Sequence, residues 1–135
     1  MGKYRNLIDR LYQDDGSLDH EVRAALIKAD GRVLPALIYA LHNHRNDSVR
    51  EEVAEIFGER GSAKAIAALI RATEDPCLFV RHDALWSIER ICLIEPAGLS
   101  FWLELVHDDP KGMKRRVEGW WSANRRFIEG NEAFL

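Results

Sequence analysis

Asp47-Ser48-Val49-Arg50-Glu51-Glu52-Val53-Ala54, then Phe57-Gly58-Glu59-Arg60-Gly61-Ser62, then Ala65-Ile66-Ala67-Ala68-Leu69-Ile70, is the stretch that decides the fold. Asp47 or Ser48 is placed to cap a helix ending near Glu59, and Gly61 closes it. A second apolar helix runs from about Ser62 to Thr73, and Asp75-Pro76 opens the next segment. The same text recurs. Phe79-Val80-Arg81-His82-Asp83-Ala84-Leu85 matches Ser48 to Ala54 at an offset of 31, and Val22-Arg23 enters the pattern 27 residues before Val49-Arg50. The second helices repeat as well: Val33 to Ala40 matches Ala65 to Ala72 at an offset of 32, and Gly98 to Glu104 follows 33 residues on. A period of 31–33 built from paired helices predicts an α-solenoid, in which each hairpin buries its apolar face only against its neighbours.

Working outward, no segment alternates like a strand. Tyr4, Leu7, Ile8 and Leu11 form an apolar stripe before the Asp14-Asp15-Gly16 break, which places a first helix over 3–14. Ser17 is the expected N-cap of the helix that follows, and Pro35 sits in the opening turn of the next. Pro96 and Asp109-Pro110 open two more. The expected organisation is one all-α domain of about eight helices: the helix at 3–14, repeats over about 17–43, 47–73 and 76–107, and a capping helix over 110–128.

These motifs resemble the short HEAT-like repeat first named from phycobilisome lyases. Its pattern is an aspartate and Val-Arg opening the first helix, Gly-x-x-Gly between helices, an apolar second helix, and Asp-Pro. The resemblance is carried by Asp47 to Ile91, extends over 17–43, and fades beyond Pro96; the third repeat has Leu93-Ile94-Glu95-Pro96 where the glycine turn would be. It implies an α-solenoid superhelix whose second helices line the concave groove. It also implies an ion-pair ladder from Arg23, Arg50, Arg81 and then Lys114 to Asp47, Asp75 and Asp108 or Asp109 of neighbouring turns.

The chain has 135 residues, 47% of them hydrophobic and 30% charged, with 19 basic and 22 acidic residues for a net charge of −3. That composition excludes a disordered chain and a globally basic nucleic-acid binder. The small net charge hides an asymmetry. Lys111, Lys114, Arg115, Arg116, Arg125 and Arg126, opposed only by Glu118, carry +5, leaving −8 elsewhere. This basic patch is the argument for the alternative of nucleic-acid binding. No apolar run approaches the ~18 residues a membrane span needs, and MGKYRNLIDRLYQDD lacks the apolar core of a signal peptide. Cys77 and Cys92, 15 residues apart along one helix, are too distant to bridge and read as buried thiols. The expected compartment is cytoplasmic.

No catalytic signature is present: no P-loop, Gly-x-Ser-x-Gly or His-Glu-x-x-His. His82-Asp83 stands where deoxyhypusine hydroxylase, a HEAT-like di-iron enzyme, carries His-Glu pairs. The equivalent pairs here are Ala24-Ala25, Glu51-Glu52 and Arg115-Arg116, and iron or zinc needs several convergent ligands. A metal-dependent enzyme is therefore the least favoured alternative, and no cofactor is expected.

Equivalent positions of a repeat should face alike. On the second helices, Leu37, Leu69 and Trp102 share an inward site; Tyr39, Arg71 and Glu104 share an outward one, as do His42, Glu74 and His107. Tyr39, His42, Arg71, Phe101, Glu104 and His107 are therefore the expected partner-binding strip, Tyr and Arg being common interface anchors. On the first helices Trp86 aligns with Lys28 and Glu55, which predicts an outward tryptophan; Trp120 falls at a flank and Trp121 inward. Trp86 and Trp120 are the expected secondary surface, the alternative favoured for Trp120 being that it packs under the C-terminal segment from Phe127 to Leu135. The expected function is a non-catalytic adaptor, assembly factor or immunity-type inhibitor that binds a protein partner, as a monomer or weak homodimer.

Overall fold

A computed structural model of the chain describes residues 2–92 and 108–130. Seven α-helices lie in these residues: α1 (Gly2–Asp9), α2 (His20–Lys28), α3 (Leu34–Asn43), α4 (Asp47–Arg60), α5 (Ile66–Ala72), α6 (Leu78–Cys92) and α7 (Pro110–Gly130). They stack in two layers. α2, α4 and α6 pack side by side in one, α1, α3 and α5 in the other, and α7 packs on α5. The helix expected after Pro96 lies outside the described residues.

The seam between the layers is apolar. Leu26, Leu37, Leu41, Val53, Phe57, Leu69, Leu85 and Ile88 are fully buried, and Met113, Val117 and Trp121 extend the core along α7. At ~25 cal/mol per Å² of apolar surface removed from water, this seam is the main force holding hairpin to hairpin.

The helix starts are set by short polar side chains that satisfy free N–H groups. Asp19 accepts from the amides of Glu21 and Val22, Asn46 from Ser48, Ser62 from Lys64, and Asp109 from Gly112. Two expected caps are thereby corrected. Ser17 does not cap α2, because its amide and hydroxyl both donate to Asp15 within the turn at Gly16. Asn46, not Asp47 or Ser48, caps α4. The first helix ends at Asp9 rather than 14, since the chain turns back and Tyr12 bridges to Leu18. The segment expected from Ser62 begins as a 3-10 turn, Ala63–Ala65, before α5.

Each glycine of the Gly-x-x-Gly motif has its own task. Gly61 takes a left-handed conformation, φ 74°, and its N–H donates to Phe57 O to close α4. Gly58 is where α4 and α6 touch: a Cβ there would lie 2.5 Å from Ser87 Oγ, and Ser87 Oγ donates to Ala54 O at 2.7 Å.

The arginine ladder forms in part. Arg50 grips Asp75 with Nε and Nη2 at 3.0 and 3.2 Å, and its Nη1 donates to His44 O at 2.7 Å. Arg81 donates to the carbonyls of Asp75 and Pro76. Arg23 departs from expectation: it binds Glu52, Glu55 and Glu59 of α4 instead of Asp47. Those three carboxylates recur at helical spacing along the α4 face that meets α2. Lys114 pairs with Glu74 rather than an aspartate, at 3.0 Å. Cys77 and Cys92 are free and only partly buried, and burial pushes the Cys92 thiol up to about 12.

Candidate protein-binding surface

The outer side of the α1–α3–α5 layer gathers the described part of the expected strip. Tyr39 on α3 is 48% exposed. The Arg5 guanidinium of α1 lies over its ring, 5.3 Å from the centroid, a cation–π pair across the two helices. Between α1, α3 and the α3–α4 turn lies an open cleft of about 530 Å³, lined by Arg5, Asp9, Tyr39, Asn43, His44 and Arg45 among others. His44 Nε2 and Asp9 Oδ1, 2.9 Å apart, tie α1 to that turn.

One helix further along, Arg71 of α5 is exposed, in line with the repeat register. His42, placed outward by the same register, is instead half-buried. Its Nε2 lies 3.1 Å from Ala68 O, and its Nδ1 lies 3.3 Å from Arg71 Nη1. A carbonyl can only accept and a guanidinium can only donate, so the ring is the neutral Nε2–H tautomer. Burial first, and then the Arg71 charge, lower its pKa. His42 thus joins α3 to α5 and aims Arg71 outward. A small cleft bordered by His42, Arg71, Glu74 and Pro76 continues the strip.

Phe101, Glu104 and His107 lie outside the described residues. The two residues equivalent to Phe101, Ala36 and Ala68, are buried. Arg5, Asn43 and Arg45 complete the cleft but were not read from the sequence. α1 stands outside the repeat register, so alignment assigned it no face; the i, i+4 pair Tyr39 and Asn43 on α3 was the available signal.

On the opposite layer, Trp86 is 56% exposed, as the register required, and Phe79 is 63% exposed. Trp121 is buried and Trp120 half-buried beside it, ring centroids 6.4 Å apart. Along α7, Lys111, Arg115, Arg116, Arg125 and Arg126 are exposed, whereas Lys114 is partly buried against Glu74. The basic patch is therefore one charge weaker toward solvent than its sequence suggested. Among the described residues, His, Cys, Asp and Glu form no group of three or more arranged to hold a metal ion, and no helix is long and apolar enough to cross a membrane. Asp83 faces Glu51 of α4, with Glu52 and Glu55 near. Burial and these carboxylates push it up to about 7.

A family model described as HEAT repeats matches residues 34–118. No curated protein and no solved structure matches the chain.

Proposed function

The chain belongs to the HEAT-repeat family, and from that premise we propose that it is a non-catalytic protein-interaction module that binds its partner through the α1–α3–α5 face. HEAT repeats are generally protein-interaction scaffolds and typically non-enzymatic. The observation that carries the reading is the pairing of aromatic and cationic groups at open positions on adjacent helices: Arg5 over Tyr39 beside one cleft, and Arg71 held by His42 beside the next. Tyrosine and arginine supply contact area and charge-assisted hydrogen bonds with little further ordering, and both groups are already braced in the free chain. Residues 101, 104 and 107 would extend the same strip.

An adaptor, an assembly factor and an inhibitor of the immunity type all fit this surface, acting in the cytoplasm as a monomer or weak homodimer. The test is capture of a partner by the wild type and by Tyr39→Ala with Arg71→Glu. Loss of the partner with helical circular dichroism retained supports the reading, and undiminished capture overturns it. One observation favours a second reading. Lys111, Arg115, Arg116, Arg125 and Arg126 are all exposed along α7, and nucleic acid would bind them with a strong salt dependence. Charge reversal of Lys111, Arg115 and Arg116 in a DNA and RNA retention assay decides it; no salt-sensitive retention by the wild type removes it.

A further inference from the structure

α6 carries a second exposed feature, on the layer away from the proposed groove. Phe79 and Trp86 are seven residues apart, two helical turns or roughly 10.5 Å, and so stand on one side of the helix with exposed His82 between them. The opposite side of α6 buries Val80, Ala84, Leu85 and Ile88. Ser87, bonded to Ala54 O and packed on Gly58, fixes α4 along one flank of the aromatic crest.

That flank is acidic. Asp83 on α6 faces Glu51 on α4, and Glu52 and Glu55 lie near. Arg23 is engaged with Glu52, Glu55 and Glu59. Arg90, at the other end of α6, acts on Glu59. Glu51 and Asp83 therefore stand beside the stretch of α6 that runs from Phe79 to Trp86. Large apolar side chains standing in solvent on one helix face mark an interaction surface, and the charge beside them selects the occupant.

We propose that the outward face of α6, formed by Phe79 and Trp86 with the Glu51–Asp83 flank, is a second docking surface whose occupant is a basic amphipathic segment of a partner protein. Its apolar side chains cover Phe79 and Trp86, and its arginine or lysine lies against Glu51 and Asp83. An acidic segment is repelled there, and a neutral one strips water from the carboxylates with no compensating charge.

The probe is an amphipathic helical peptide with leucines on one face and arginines on the other, compared with a counterpart carrying glutamates in place of the arginines. Fluorescence anisotropy at low ionic strength measures both. The arginine peptide binds saturably and the glutamate peptide does not. Trp86→Ala weakens binding about tenfold or more, as removal of an interface anchor does. Phe79→Ser and the pair Glu51→Gln with Asp83→Asn act in the same direction. Phe79 and Trp86 stand in solvent, so their variants keep the circular dichroism and Tm of the wild type, and the Glu51→Gln/Asp83→Asn pair stays helical. Tyr39→Ala with Arg71→Glu leaves the affinity unchanged, which separates this surface from the proposed groove. Equal binding of the two peptides, or wild-type affinity in the Trp86 and Phe79 variants, overturns the proposal. So does sedimentation showing that Trp86→Ala turns a homodimer into a monomer, since the occupant would then be a second copy.

Discussion

Gly58 is the residue on which the approach of α4 to α6 depends, because an added Cβ would meet Ser87 Oγ at 2.5 Å and Ser87 Cα at 3.2 Å. Gly58→Ala is expected to cost about 1–3 kcal/mol by overpacking, read as a lower urea midpoint with an unchanged slope. Gly119 on α7 has nothing within 4 Å of the same added atom, so Gly119→Ala is expected to stabilise by about 0.5–1 kcal/mol. If both glycines respond alike, helix propensity and not close packing governs Gly58. Asp83 gives a pH-dependent case. Its folded pKa of about 7 stands above the roughly 4 of an unfolded aspartate, so the folded chain holds that proton more tightly. Stability is lost as pH rises through the window from about 4 to about 7. Asp83→Asn removes the loss, so its Tm advantage over wild type should be small near pH 4 and full at pH 8. An advantage that does not change with pH would contradict the crowding of Asp83 by Glu51, Glu52 and Glu55.

Between residue and fold lie the helix ends, where sequence and structure part most. Asn46, Asp47 and Ser48 are three good capping residues in a row. Which one caps is decided by how the chain leaves α3, where the Asn46 amide donates to His44 Nδ1, and capping preference alone does not contain that information. Ser17 lost its expected role in the same way, to a closer acceptor in Asp15. Arg60 is an element-scale device that no local pattern announces. Its Nη1 donates to the carbonyls of Leu26, Ile27 and Ala29 at 2.7–3.0 Å, so the last residue of α4 closes the end of α2. A cation at a helix C-terminus also opposes the helix dipole. Arg60→Met is expected to cost about 1–3 kcal/mol. The loss should appear as faster amide exchange at the end of α2, measured by hydrogen–deuterium exchange. Uniform acceleration over all helices would instead indicate a global effect.

At the scale of the whole molecule, the stacked hairpins and their inward positions were legible, because a repeat makes each position testify for its equivalents. Leu37 with Leu69, Tyr39 with Arg71, and the solitary outward Trp86 follow from the register alone. The register fails where one repeat has a partner that another lacks. His42 turns inward because Ala68 O and Arg71 are both in reach, and Arg23 finds three glutamates where Arg50 finds one aspartate. It is also silent on α1, whose Arg5 completes the cleft at Tyr39. This assembled face, and not the basic helix α7, is the proposed seat of a protein partner. Its most direct test is affinity capture from cells that naturally express the chain, with the wild type beside Tyr39→Ala/Arg71→Glu and Lys111→Glu/Arg115→Glu/Arg116→Glu. One stoichiometric protein, insensitive to nuclease, should be retained by the α7 variant and lost by the groove variant while both stay helical. Equal retention by the groove variant, or a nuclease-sensitive product lost only from the α7 variant, would contradict it.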